Sequence, residues 1–170
     1  LPQRQTVLAA KQAAEVDLLT NGRFRFGVGI GWNAVEYEAL GQRFDQRGRR
    51  FSEQIALMRR LWTEPSISHD GAFDTVTGAG INPPPIQRPI PVWIGGQSDP
   101  AYRRIGQLAD GWFPQVRPGE DLQHALEVID AAAREAGRDP ASIGMEGRVR
   151  IDVADTDRFA RQVDRWRAAA

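Results

Sequence analysis

Twice in this chain an apolar run ends in glycines and passes at once into a helical pattern. Residues 23–41 read RFRFGVGIGWNAVEYEALG, and residues 91–101 read PVWIGGQSDPA. Strands that feed directly into helices run parallel, because antiparallel neighbours need only a short turn whereas parallel ones need a crossover. That feature confines the fold to an α/β class with two main solutions, an open doubly wound sheet or a (β/α)8 barrel.

The rest of the chain keeps the same beat. Residues 3–20 set Val7, Leu8, Val16 and Leu19 among alanines, which predicts a helix packed on one face and stopped by Asn21-Gly22. Residues 23–28 alternate polar and apolar, as a strand does. Helices are expected over 34–40 and 45–62, the second with Phe51, Ile55, Met58, Leu61 and Trp62 as one buried stripe. The run ISHDGAFDTV at 67–76 reads as a hairpin around Asp70-Gly71. INPPPIQRPIP follows and is too proline-rich for a helix. The stretch 66–91 is therefore an insertion within one domain, 1–170, and not a domain boundary.

Beyond the insertion, a strand over 91–95 is expected to be buried on both faces. Ser98-Asp99-Pro100 opens a helix that runs to Ala109. A strand over 111–113, a helix over 120–136 ended by Gly137, a strand over 145–153 and a helix over 156–168 complete the order. The last helix gathers Phe159, Val163 and Trp166 on one side. Four strands belong to the repeat, whereas a barrel has eight and about 250 residues. Both ends of the chain fall in helical patterns, so a barrel reading expects further strands before Leu1 and after Ala170.

Composition excludes several function classes. With 22 basic and 22 acidic residues the formal net charge is +0, which gives no reason to expect nucleic acid or an anionic membrane as partner. No apolar run is long enough to span a bilayer, and a cytoplasmic address is the default expectation. There is no cysteine, hence no thiol catalysis and no cysteine metal site, and no metal is expected.

The glycine stretches admit more than one reading. Gly29-Ile30-Gly31-Trp32-Asn33-Ala34 fits the dinucleotide fingerprint G-x-G-x-x-[GA] between a strand and a helix. That fingerprint also needs a second strand ending in an acid about 20 residues on. An arginine-rich helix occupies that window, and Trp32 crowds the second glycine. Gly27, Gly29 and Gly31 can instead serve close packing and a sharp strand exit. The functional alternative is a ligand crevice at the strand's carboxyl end, lined by backbone and Trp32. Trp93-Ile94-Gly95-Gly96-Gln97-Ser98 repeats the arrangement at a helix start. Paired glycines and free amides there suit a phosphate, with Ser98 either capping the helix or donating to a phosphate oxygen.

Four segments carry a resemblance: AKQAAEVDLLTNGRFRFGVGIGW, RFDQRGRRFSEQIALMRRLW, INPPPIQRPIPVWIGG and LADGWFP, in that order. Together they resemble the luciferase-like flavin or deazaflavin oxidoreductases, especially the deazaflavin-dependent branch. The resemblance implies a (β/α)8 barrel, here incomplete, that works as a homodimer on a small-molecule substrate. It implies coenzyme F420 or FMN as cofactor. The phosphate end would meet Gly95, Gly96, Gln97 and Ser98, with Arg49 where some members place a phosphate-binding arginine. Gly29, Gly31 and Trp32 would border the ring. Arg47 and Arg50 are expected as solvated helix charges or salt-bridge partners, and His69 and His124 as surface residues. No residue of this chain is assigned as catalytic. Three functions stand: hydride transfer between deazaflavin or FMN and an organic substrate, with FMN-dependent monooxygenation as its variant; non-catalytic flavin binding; and an unrelated phosphate-binding barrel protein.

Overall fold

The computed structural model describes residues 1–149 and 155–169. The elements follow the expected beat. They are α1 (Thr6–Leu19), β1 (Phe26–Val28), α2 (Ala34–Ala39), α3 (Arg47–Thr63), the hairpin β2 (Ile67–Asp70) and β3 (Thr75–Ala79), β4 (Val92–Gly96), α4 (Asp99–Leu108), β5 (Gly111–Pro114), α5 (Glu120–Glu135), a 3-10 turn at Pro140–Ser142, β6 (Gly144–Met145) and α6 (Thr156–Arg167). Residues 150–153 of the strand expected over 145–153 lie outside the described residues. The chain divides into two units, Leu1–Val92 and the residues from Trp93 onward.

In the first unit α3 is the principal helix. Its apolar residues recur every three or four positions, so one face is hidden: Phe51, Ile55, Leu57, Met58, Leu61 and Trp62 are buried. Each such side chain contributes roughly 1.5–3 kcal/mol. The partner face of α1 corrects the sequence reading. Val7, Leu8, Val16 and Leu19 are exposed, Leu19 at 87%, while Ala9, Ala10, Ala13 and Ala14 are buried. Small side chains let the two helices approach closely, and the Trp62 indole Nε1 donates to the Ala10 carbonyl at 2.9 Å. Asn21 and Gly22 both take positive φ, and the Gly22 amide returns to the Asp17 carbonyl, which ends α1 as expected.

The hairpin pairs antiparallel, Asp70 opposite Thr75 and His69 opposite Val76. The 66–91 stretch is tied down by two carboxylates. Asp17, fully buried, accepts from the Ile86 and Gln87 amides at 2.8 and 2.9 Å. Glu53 accepts from the amides of Ala72, Phe73 and Asp74. β1 continues the extended geometry, its Phe26 amide donating to the Pro91 carbonyl at 2.8 Å.

In the second unit β4, β5 and β6 run parallel, Trp93 opposite Gly111 and Gly111 opposite Gly144. The Trp93 ring crosses these two glycines, which leave it room. Trp93 is half-buried, so β4 is not closed on both faces as the composition suggests; Val92 and Ile94 form its buried side. Helices α4 and α5 pack through Tyr102, Ile105, Leu122, Ala125 and Ile129. Phe159, Val163 and Trp166 are all half-buried on α6. No described helix is long and apolar enough to cross a membrane.

Candidate functional site

The exit from β1 is built to hold one shape. Gly31 has φ +81°, a backbone that side-chain-bearing residues rarely adopt, and a Cβ there would lie 3.3 Å from the Tyr37 ring. Gly29, by contrast, faces open space. The buried Tyr37 hydroxyl donates to the Ile30 carbonyl, and its ring meets Phe44 edge-on at 5.3 Å. The Arg47 guanidinium caps that stack, 3.7 Å from the Phe44 centroid, and donates to the Phe44 carbonyl. Burial pushes the Tyr37 phenol up against the opposing pull of Arg47 and Arg50, so it stays a neutral donor. Asn33 caps α2 by accepting from the Val35 amide, and its amide group holds Glu36, which Gln3 also binds. On this frame Trp32 stands 86% exposed, with Val35 beside it at 71%.

Arg49 is exposed on the first turns of α3, its guanidinium 6.0 Å from the Phe73 ring. Arg47 and Arg50 are not the solvated charges the sequence suggests. Both are half-buried, and Arg50 donates to the Arg4 carbonyl. Among the described residues neither meets a carboxylate, because α3 begins against backbone carbonyls and aromatic rings. His69 is likewise half-buried, 3.5 Å from Glu53, and not a free surface residue.

In the second unit the carboxyl end of β4 leads straight into α4. A Cβ on Gly96 would fall 2.6 Å from the Ala101 methyl, so only glycine lets the first turn of α4 sit this close. Gly95 has ordinary room. Ser98 occupies the cap position with extended geometry, yet its hydroxyl makes no cap bond. Its carbonyl instead accepts from Ala101 and Tyr102. Of the two roles open to Ser98 in the sequence, helix capping is therefore not the one taken. Gln97 and Ser98 are exposed. Amides at a helix start and a spare hydroxyl form a donor set that fits a phosphate. Pro100 lacks an amide, so it removes one donor from that set. Asp99 adds a carboxylate in the same turn, where His124 holds it at 3.0 Å. His124 is exposed, as expected. A hollow of about 260 Å³ opens beside α4 and α5, lined by Arg103, His124 and Glu127 among others, but by none of Gly95–Ser98.

The structure thus keeps the expected residues in two groups, Gly29, Gly31, Trp32 and Arg49 in the first unit and Gly95, Gly96, Gln97 and Ser98 in the second. Sequence reasoning missed Tyr37, Phe44, Glu53 and Asp17. Two aromatics following the strand exit, Tyr37 within a short helix and Phe44 beyond it, were a signal for that pair. Glu53 and Asp17 bind amides of distant segments and left none. Among the described residues, no group of three His, Asp or Glu side chains could hold a metal.

The sequence profile of the luciferase-like monooxygenases matches residues 1–168. A phthiodiolone/phenolphthiodiolone dimycocerosates ketoreductase of Mycobacterium kansasii is 34% identical over 146 residues, covering 83% of this chain and 39% of that protein. Among solved structures, an F420-dependent secondary alcohol dehydrogenase in complex with an F420-acetone adduct superimposes with a TM-score of 0.75 at 22% identity, covering 84% of this chain and 44% of the other. A long-chain alkane monooxygenase gives 0.80 at 19% identity, covering 94% and 44%. The chain spans less than half the length of each of these. Its fold is that of part of a luciferase-like (β/α)8 barrel, and the described residues form no closed barrel.

Proposed function

Because this chain belongs to the luciferase-like monooxygenase family, we propose that it serves an oxidoreductase that moves a hydride between coenzyme F420, or FMN, and an organic substrate. Membership sets aside the unrelated phosphate-binding barrel. The observation that carries the proposal is Ser98, which caps α4 by position yet keeps its hydroxyl unspent, directly after the Gly95-Gly96 pair. The cofactor supplies the two-electron chemistry. The chain's residues supply binding and orientation.

In this reading the amides after Gly95 and Gly96, with Ser98 Oγ, hold the cofactor phosphate. The Ala101 contact fixes Gly96 so that the backbone need not reorganise on binding. By the resemblance Arg49, in the first unit, is a further candidate for a phosphate contact. Gly31 and its Tyr37 brace present Trp32 as a flat apolar face to the ring, which excludes water from that side. The ketoreductase and alcohol dehydrogenase relatives favour a carbonyl or alcohol as substrate. The alkane monooxygenase keeps FMN-dependent oxygenation as the alternative. A homodimer, implied by the resemblance, and a cytoplasmic address, the default expectation from the sequence, belong to the same proposal.

Titration with F420 and with FMN, followed by tryptophan fluorescence, tests it. Quenching that is lost in Trp32→Phe supports the ring placement, and quenching retained in that variant refutes it. Ser98→Ala should weaken FMN more than riboflavin, which lacks the phosphate; equal weakening refutes the phosphate assignment.

A further inference from the structure

We propose that the β2–β3 hairpin is a flap that pivots at its base and is latched at its tip by Glu53, so that its position controls Phe73 and the neighbouring Arg49. The inference goes beyond the cofactor reading and stands without it.

The hairpin has apolar anchors only where it begins and ends. Ile67 and Ile81 are 2% and 7% exposed, and no residue from Ser68 to Gly80 is buried. At the base Gly80 lies against the Pro65 backbone, where a Cβ would come within 2.1 Å of the carbonyl oxygen. Arg60 of α3 also donates to the Ser68 carbonyl there. The tip depends on polar contacts. One Glu53 oxygen accepts from the Phe73 and Asp74 amides at 3.0 and 3.2 Å, and the other accepts from Ala72 at 3.0 Å. Three successive amides converging on one carboxylate make an anion nest of charge-assisted bonds. The nearby His69 is 3.5 Å from the same carboxylate, and Thr6 donates to the Asp74 carboxylate at 2.6 Å as a second tie. A segment with few apolar contacts and a polar fastening opens at lower free energy than the helix it rests on.

The other half of the insertion differs. Ile90 is fully buried, and the fully buried Asp17 binds the Ile86 and Gln87 amides together with the Gln87 side chain. That half is a fixed wall. The contrast locates the motion in residues 68–80 alone. Its consequence lies at Phe73, whose ring centroid is 6.0 Å from the guanidinium carbons of both Arg49 and Arg50. Opening the tip withdraws the ring from both cations and leaves Arg49 free to take another partner.

Native-state hydrogen exchange on the 170-residue chain tests the flap. In the wild type, the amides of Ala72, Phe73 and Asp74 should exchange on the order of tenfold faster than the Ile55–Leu61 amides of α3 or more, through an opening that leaves α3 protected. In Glu53→Gln they should accelerate again by on the order of tenfold and remain faster than the α3 amides. Equal protection of the tip and α3 in the wild type overturns the proposal, as does a Glu53→Gln variant whose tip exchanges at the wild-type rate. The wild-type comparison needs no variant and decides alone if the substitution prevents folding. Neither readout uses a cofactor, so failure of cofactor binding leaves both intact.

Discussion

At the scale of single residues, Gly31 and Glu53 carry the sharpest consequences. Gly31 combines φ +81° with a Tyr37 ring 3.3 Å from its missing Cβ. Gly31→Ala must therefore adopt a strained backbone and displace a ring held by Phe44. The expected loss is about 1–3 kcal/mol, read by urea unfolding; a loss below about 0.5 kcal/mol would mean that the exit turn relaxes freely. For Glu53, burial works to raise the carboxyl, but the amides of Phe73, Ala72 and Asp74 and the His69 ring outweigh it and hold the group below the usual glutamate range. A depressed carboxyl contributes stability above its unfolded pKa and loses it as pH falls through the folded one. The stability advantage of wild type over Glu53→Gln should thus be constant at neutral pH and vanish as the solution is acidified below the ordinary glutamate value. Thermal unfolding of both proteins from pH 7 to pH 3 checks this, and an advantage that grows on acidification contradicts it.

At the scale of elements, α1 and α3 separate what periodicity reveals from what it hides. The α3 stripe was legible because large apolar side chains recur at helical spacing, and every member is buried. The α1 face was not. Its contact is made by alanines, and the larger Val7, Leu8, Val16 and Leu19 point away. Close helix packing through small residues leaves almost no hydrophobic contrast to read. Ala13→Leu, overpacking that seam, should cost about 1–3 kcal/mol, whereas Leu19→Ser, at an 87% exposed position, should change stability by less than about 0.5 kcal/mol. Chemical denaturation of the two variants distinguishes the faces, and the reverse ranking would restore the larger residues as the core. The same limit explains the candidate site. Gly95, Gly96 and Ser98 were readable because a strand, paired glycines and a helix start are local. Asp17 was not, because its amide partners lie 69 and 70 residues away, and no spacing rule connects a helix carboxylate to a distant irregular strand.

At the scale of the whole molecule, the chain spans 39% to 44% of the ketoreductase, the alcohol dehydrogenase and the alkane monooxygenase, and its candidate binding elements divide between the two units. The first unit offers an exposed indole on a braced turn. The second offers amides and a spare hydroxyl at the start of α4, next to an Asp99 carboxylate drawn toward His124. Each group makes its own prediction with half a cofactor. Riboflavin, which has the ring but no phosphate, should quench the exposed Trp32 and leave the exchange of the Gln97, Ser98 and Asp99 amides unchanged. Inorganic phosphate should slow exchange at those three amides and leave the fluorescence unchanged. His124 holds the Asp99 carboxylate at 3.0 Å, yet that carboxylate still places a negative charge in the same turn as the three amides. Asp99→Asn, which removes that charge, should therefore bind phosphate more tightly than the wild type. Equal binding by the two proteins would show that Asp99 does not face the anion, and that the phosphate contacts lie on the Gly96 side of the turn.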